Sequence, residues 1–220
     1  MKTVSVKQMK AYEEGLFARG LSPDLLMENA GRLCAQQIID TYFPNGTDEQ
    51  ITIICGSGGN GGDGLVLARC LMENKIPAVC YIVPSPKYGE LTKKNIKRAF
   101  VCHTSVKEID KAEILKKAVG KSLIVVDALL GLGASKEHTP RPVFQEAIDI
   151  INTAKNIISI DGPSGLDMDD GSHYLARPVK AKETYTLGFA KNGLVLPQSA
   201  QYIGKLIALD IFSQITSHCK

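Results

Sequence analysis

The sequence predicts a doubly wound α/β fold, with a mainly parallel sheet covered by helices on both faces. Three observations carry this. Short continuous apolar runs, ITIIC at 51–55 and AVCYIV at 78–83, read as strands buried on both faces. Helical patterns separate the strands, and such alternation implies crossover units in a parallel sheet. A Gly-rich loop joins the first of these strands to the next helix. The 220 residues fit one domain over 1–220, and a domain of that size buries a core without disulfides or metals.

In chain order, a first helix is expected over Val6–Arg19. Ser22-Pro23-Asp24 opens a second, with a capping hydroxyl, proline at the first helical position and an acid at the positive end of the dipole. It runs to Pro44, and Asn45-Gly46 marks a turn. After ITIIC come GSGGNGGDG (56–64), a helix over LVLARCLMENK, and AVCYIV, stopped by Pro84-Ser85-Pro86. Helices follow at Leu91–Phe100 and Ala112–Val119. Leu123–Val126 is a strand closed by Asp127, Val143–Ala154 a helix, and Ile157–Ile160 a strand closed by Asp161. TYTLGF, GLVLP and KLIALDI read as short strands that extend the sheet. No repeat, low-complexity linker or second domain is visible.

Composition narrows the function. The chain is 44% hydrophobic and 22% charged, ordinary for a soluble protein, and its net charge of +3 is too weak to argue for nucleic acid. The most basic stretch, Lys93 to Arg98, reads as a solvated helix face. The six cysteines form no CxxC pair, so a zinc site is not expected. Several sit inside apolar runs as small buried hydrophobes, which points to a reducing cytoplasm. The N-terminus lacks an apolar signal-peptide core. No apolar run reaches about 18 residues, so no membrane span is expected.

Gly56, Gly58 and Gly61 match GxGxxG, and six of the nine loop residues are glycine. Glycine weakens an element unless the backbone takes unusual angles or approaches something closely, and backbone N–H groups at a helix start attract phosphate. The loop is therefore read as a phosphate or dinucleotide site rather than a structural turn. A dehydrogenase would also end its second strand in Asp or Glu to hold the ribose. Here that strand ends Val83-Pro84-Ser85-Pro86, with no acid until Glu90. Asp63, inside the loop, would repel a phosphate, so it is expected to accept from loop N–H groups or a ligand hydroxyl.

Asp127 and Asp161 both close apolar strands on the edge where ligands bind in doubly wound sheets. A carboxylate there needs a partner, because burying one alone is costly. Asp161 also opens DGPSGLD, whose Pro163 and Gly165 make a turn that presents Ser164. Amide, carboxylate and hydroxyl oxygens from Asn60, Asp127 and Ser164 suit a hard cation.

LLMENAG (25–31), GSGGNGGDGLVLAR (56–69), VVDALLGLG (125–133), IDGPSGLD (160–167) and LGFAKNGLVLP (187–197) occur in order. Together they resemble the YjeF N-terminal domain family, the NAD(P)H-hydrate epimerases, over nearly the whole chain. The resemblance implies a Rossmann-like three-layer α/β/α sandwich, commonly a homodimer. It implies an isomerase that interconverts the R and S epimers of hydrated NADH or NADPH, whose S form a separate ADP- or ATP-dependent dehydratase then repairs. It implies one potassium ion per subunit on Asn60, Asp127 and Ser164. Substrate contacts would come from Gly59, Asn60, Gly61, Gly62 and Asp63, from the loop Gly131, Leu132, Gly133, Ala134, Ser135, Lys136 and Glu137, and from Asp161. The chain departs from the family pattern at Gly59, where GNNGGDG has Asn, and at Gly162, where DIPSG has Ile.

Some relatives use the fold as a dimerising or ligand-binding module without the chemistry, and that is the alternative reading. For the enzyme, the reaction is loss of the ring hydroxyl and return of water from either face. It needs a proton donor and electrostatic support for the cation. Asp161 or Asp127 could supply these; with potassium on Asp127, Asp161 is the better acid/base candidate. The four histidines lie outside every motif. Lys191 in FAKNG is expected either to meet a phosphate or to be solvated.

Overall fold

The computed structural model describes residues 2–134 and 141–213. The chain opens with β1 (Thr3–Val4), α1 (Val6–Ala18) and α2 (Pro23–Tyr42), followed by β2 (Ile51–Cys55), α3 (Gly59–Glu73) and β3 (Ala78–Ile82). Then come α4 (Glu90–Val101), β4 (Ser105–Glu108), α5 (Ala112–Lys121), β5 (Ile124–Ala128), α6 (Pro142–Ile151) and β6 (Ile157–Ile160). The remainder is β7 (Glu183–Leu187), β8 (Ala190–Lys191), two 3-10 turns over Asn192–Val195 and Pro197–Ser199, α7 (Ala200–Ile203) and β9 (Lys205–Leu209).

Seven strands form one sheet in the order β4-β3-β2-β5-β6-β7-β9, and every pairing is parallel. β1 and β8 form a separate parallel pair. Alternate residues of the central strands feed two cores. Ile51, Ile53, Cys55 and Val126 pack with α1 to α4 on one face. Ile54, Val125 and Ile157 pack with α5 and α6 on the other. The result is the predicted three-layer sandwich. The order reverses direction between β2 and β5, which creates the crevice where open α/β sheets take their ligands.

Four local expectations are corrected. The Gly-rich segment is not all loop, because α3 begins at Gly59 and includes GNGGDG. None of Gly56, Gly58, Gly59, Gly61, Gly62 or Gly64 has positive φ. Close approach explains several of them. A Cβ on Gly61 would lie 1.9 Å from the Gly56 carbonyl oxygen, one on Gly62 2.5 Å from Met27, and one on Gly64 2.7 Å from Ala128. Gly58 and Gly59 have open space instead. GLVLP forms 3-10 turns rather than a strand. The edge strand β4, SVKE, was not predicted, because its half-exposed residues carry no apolar run. Ser22 stands at the N-cap of α2 but makes no capping bond. The capping box is at α1, where Gln8 N donates to Ser5 Oγ (3.1 Å) and Ser5 N to Gln8 Oε1 (2.8 Å).

Cys34, Cys55, Cys70 and Cys80 are buried free thiols and Cys102 is exposed. The basic stretch on α4 is partly committed: Arg98 (2.8 Å) and Lys94 (2.9 Å) pair with Asp24 at the start of α2. The Arg98 guanidinium holds the Asp24 carboxyl below the usual range. Among the described residues, no helix is long and apolar enough to cross a membrane.

Candidate active site

A pocket of about 600 Å³ opens at the switch point, within the size range of small-molecule sites. Its floor comes from the carboxyl ends of β2 and β5: Ser57, Gly58, Gly59 and Asn60 from one, and Leu129 to Ala134 from the other. The strand ends are locked together, since Gly56 N donates to Ala128 O at 3.0 Å. α1 and α2 add an apolar wall through Met9, Phe17, Leu26 and Met27. Among the described residues, four ionisable side chains line it: Glu13, Asp63, Asp161 and Lys191.

Asp161 follows β6 with φ +66°, a left-handed conformation that Asp tolerates better than most residues. Non-glycine residues held there cluster at functional sites. Its N–H donates to Tyr185 O at 2.8 Å, and Lys191 Nζ donates to its Oδ1. Lys191 is fully buried, with Leu187 O (3.0 Å) and Thr186 Oγ1 (3.3 Å) as further acceptors. The expectation that Lys191 is solvated is corrected: it is buried and donates to Asp161.

Burial pushes the Asp63 carboxyl well above the usual range, and the charges of Asp161 and Glu13 add to the rise while Lys191 opposes it. The expected hydrogen bonds from loop N–H groups to Asp63 are not found among the described residues. Burial also raises Glu13, to about 6, with Asp161 adding to the rise and Lys191 and Lys10 opposing it. Three carboxyls and one lysine thus line the pocket, and their surroundings favour the protonated forms of Glu13 and Asp63.

Asp127 lies behind this wall and is fully buried. Its Oδ2 accepts from Ser159 Oγ and Ser164 N, both at 2.9 Å. Its Oδ1 accepts from Ser164 Oγ (2.6 Å) and Leu129 N (3.2 Å). Burial raises its pKa, and these hydrogen bonds oppose the rise. Ser164 Oγ in turn accepts from Leu130 N at 3.0 Å, and Asn60 Nδ2 donates to Leu130 O at 3.1 Å. The Leu130 peptide therefore gathers Asn60, Asp127 and Ser164. Among the described residues, the buried Asn60 Oδ1 has no hydrogen-bond partner, a costly condition that a cation would relieve. Among the described residues, no three His, Cys, Asp or Glu gather as metal ligands; Asn60, Asp127 and Ser164 offer oxygen donors of the kind hard ions take.

Of the sequence-derived candidates, Gly59, Asn60, Asp63, Gly131, Leu132, Gly133, Ala134 and Asp161 line the pocket. Gly61 and Gly62 sit behind it, against Gly56 and Met27. Ser135, Lys136 and Glu137 lie outside the described residues. Gly162, the second departure from the family pattern, has Met168 where a larger side chain would go. Sequence reasoning missed Glu13, which lies in no motif and far from the others in the chain.

The fold and pocket define a parallel α/β protein with a switch-point site for a nucleotide-like ligand, acidic at one end and without the ribose acid of a dehydrogenase. Residues 23–193 match the family model of the YjeF-related protein N-terminus, and the chain belongs to that family. It is 40% identical over 216 residues to the NAD(P)H-hydrate epimerase of Elusimicrobium minutum, covering 96% of each chain. It is 32% identical over 211 residues to the bifunctional NAD(P)H-hydrate repair enzyme Nnr of Thermofilum pendens, covering 94% of this chain and 39% of that longer enzyme. Among solved structures, yeast ynu0 superposes with a TM-score of 0.78 at 25% identity, over 88% of this chain and 83% of that one.

Proposed function

We infer that this protein is an NAD(P)H-hydrate epimerase, an isomerase that interconverts the R and S epimers of hydrated NADH and NADPH. The observation that carries the reading is a cluster of three carboxyls and one lysine at the switch point of a chain matched along its length by an epimerase. In this reading the dinucleotide phosphates meet the free N–H groups at the start of α3, beside Gly58 and Gly59. The hydrated ring lies against Asp161. That carboxylate, paired with Lys191, stabilises the ring cation formed when the hydroxyl leaves and exchanges a proton with water. Asp127 accepts from four donors and braces the Leu129–Leu130 turn. Soaking crystals with NADP tests the placement: density is expected from α3 to Asp161, and density on another face of the sheet would contradict it.

The reading includes one potassium ion per subunit, held by Asn60, Asp127, Ser164 and the Leu130 carbonyl. Bound there, potassium supplies charge that keeps Asp127 ionised and orders the turn. Its support is the unpartnered Asn60 Oδ1. Activity should be higher in potassium than in sodium, and Asn60→Ala should abolish the difference. A wild type equally active in both salts would count against the ion. The reading also includes a homodimer in the cytoplasm, with a separate ADP- or ATP-dependent dehydratase consuming the S epimer. Sedimentation of the purified protein tests the dimer, and a monomeric mass would remove it from the account.

A further inference from the structure

The epimerase reading leaves one pocket carboxyl without a task. Glu13 lies on α1, ahead of the segment matched by the family model. Met9, Glu13 and Phe17 recur every fourth residue, so they share one face of the helix, and all three line the pocket. α1 is held rigidly in place. Met9 is buried in the core, and Val6 N donates to Asp169 Oδ1 at 2.7 Å. A carboxyl in an apolar stripe is costly, yet among the described residues that of Glu13 accepts no hydrogen bond and so braces nothing. The charged groups acting around it are Asp161 beyond β6, Lys191 on β8, Asp63 on α3 and Lys10 on α1 itself. Lys191 is already committed to Asp161, and among the described residues Glu13 forms no ion pair.

An epimerisation by loss and return of water needs two proton transfers, one as the hydroxyl departs and one as water adds to the other face. Asp161, which accepts from Lys191 Nζ, is placed to accept the proton. The cluster therefore needs a separate donor. We propose that Glu13 is the second proton-exchanging residue of this pocket, donating to the ring hydroxyl as it leaves. The Glu13 O–H bond breaks as the carbon–oxygen bond breaks. The bonding pair departs with the oxygen as water, and the cation is delocalised over the ring nitrogen. Water then bonds to the opposite face and gives its proton to Asp161. The substrate keeps its composition, and one proton has moved from Glu13 to Asp161. Exchange with solvent, or the reverse reaction, resets the pair.

Glu13→Gln keeps the size of the side chain and removes the exchangeable proton. The proposal, which rests on the epimerase reading, expects NADP affinity to be unchanged and kcat to fall by about 100-fold or more. Because the protonated carboxyl is the active form, wild-type kcat/KM should fall as pH rises through about 6, and the variant should lack that limb. Glu13→Asp should recover part of the rate.

Stability should move the other way. A carboxyl raised from 4.5 to about 6 contributes stability that is present below pH 4.5 and lost as pH rises through 6. Glu13→Gln cannot lose it, so its Tm relative to wild type should increase between pH 5 and 7. A structural role predicts the opposite pairing, lower stability with activity following it. A wild type that is active beside a Glu13→Gln of equal rate and unchanged pH profile overturns this proposal alone. A wild type that adds nothing to the uncatalysed rate overturns the epimerase reading, and this proposal with it.

Discussion

Asp161→Asn should lower the epimerisation rate by about 100- to 10,000-fold, the usual contribution of a general acid–base group. That is roughly 3 to 5 kcal/mol of barrier at 1.36 kcal/mol per tenfold. Asn is the right replacement because it also tolerates the positive φ at this position. The variant should lose stability as well, since it leaves the Lys191 ammonium buried without its counter-charge. Breaking a buried pair from one side costs about 3–5 kcal/mol, or roughly 6–20 °C in Tm for a chain of this size. The double variant Asp161→Asn with Lys191→Met removes the stranded charge, so it should regain much of the stability and none of the rate. Measuring Tm and turnover on both separates the two effects. Full turnover by a folded Asp161→Asn would show that the residue is structural.

Gly61→Ala should be among the most destabilising single-methyl changes in the protein, at about 3 kcal/mol or more. Its added carbon would meet the Gly56 carbonyl oxygen at 1.9 Å, its carbon at 2.7 Å and its nitrogen at 2.9 Å. All three are backbone atoms, so relief requires α3 to move off the β2 end, and overpacking of that kind typically costs about 1–3 kcal/mol, occasionally more. Gly59→Ala, two residues away, has nothing within 4 Å. It sits at the first position of α3 and should leave stability equal or higher by up to about 1 kcal/mol. Gly59 also lines the pocket, so a loss of NADP affinity there, with the fold intact, reports phosphate approach to the helix start. Urea denaturation of both variants checks the first claim and calorimetric titration with NADP the second. Equal stabilities for the two would refute the close-packing account.

This pair of glycines shows what a sequence can and cannot carry. GSGGNGGDG announces that a backbone passes close to something. Whether that is a ligand or the protein's own chain depends on neighbours distant in sequence, here Gly56 against Gly61 and Met27 against Gly62. The buried strands were legible because ITIIC and NIISI are mostly apolar, whereas SVKE at the sheet edge offered no such run. Asp127 and Asp161 look alike as strand-end acids, but only Asp161 reaches the pocket; the register that pairs Asp127 with Ser159 turns its carboxylate toward Ser164. Lys191 reads as surface in FAKNG because nothing local reveals that β8 returns it under Asp161. Glu13 carries no motif, and only the docking of α1 against the pocket exposes its place.

The most direct measurement is the fate of the pure R epimer of hydrated NADPH in oxygen-18 water, with and without the protein, followed by chiral chromatography and mass spectrometry. The account predicts that the S epimer forms well above the uncatalysed rate, each inversion placing a solvent oxygen on the ring carbon. Formation of the S epimer at the uncatalysed rate, whatever the label, would contradict it.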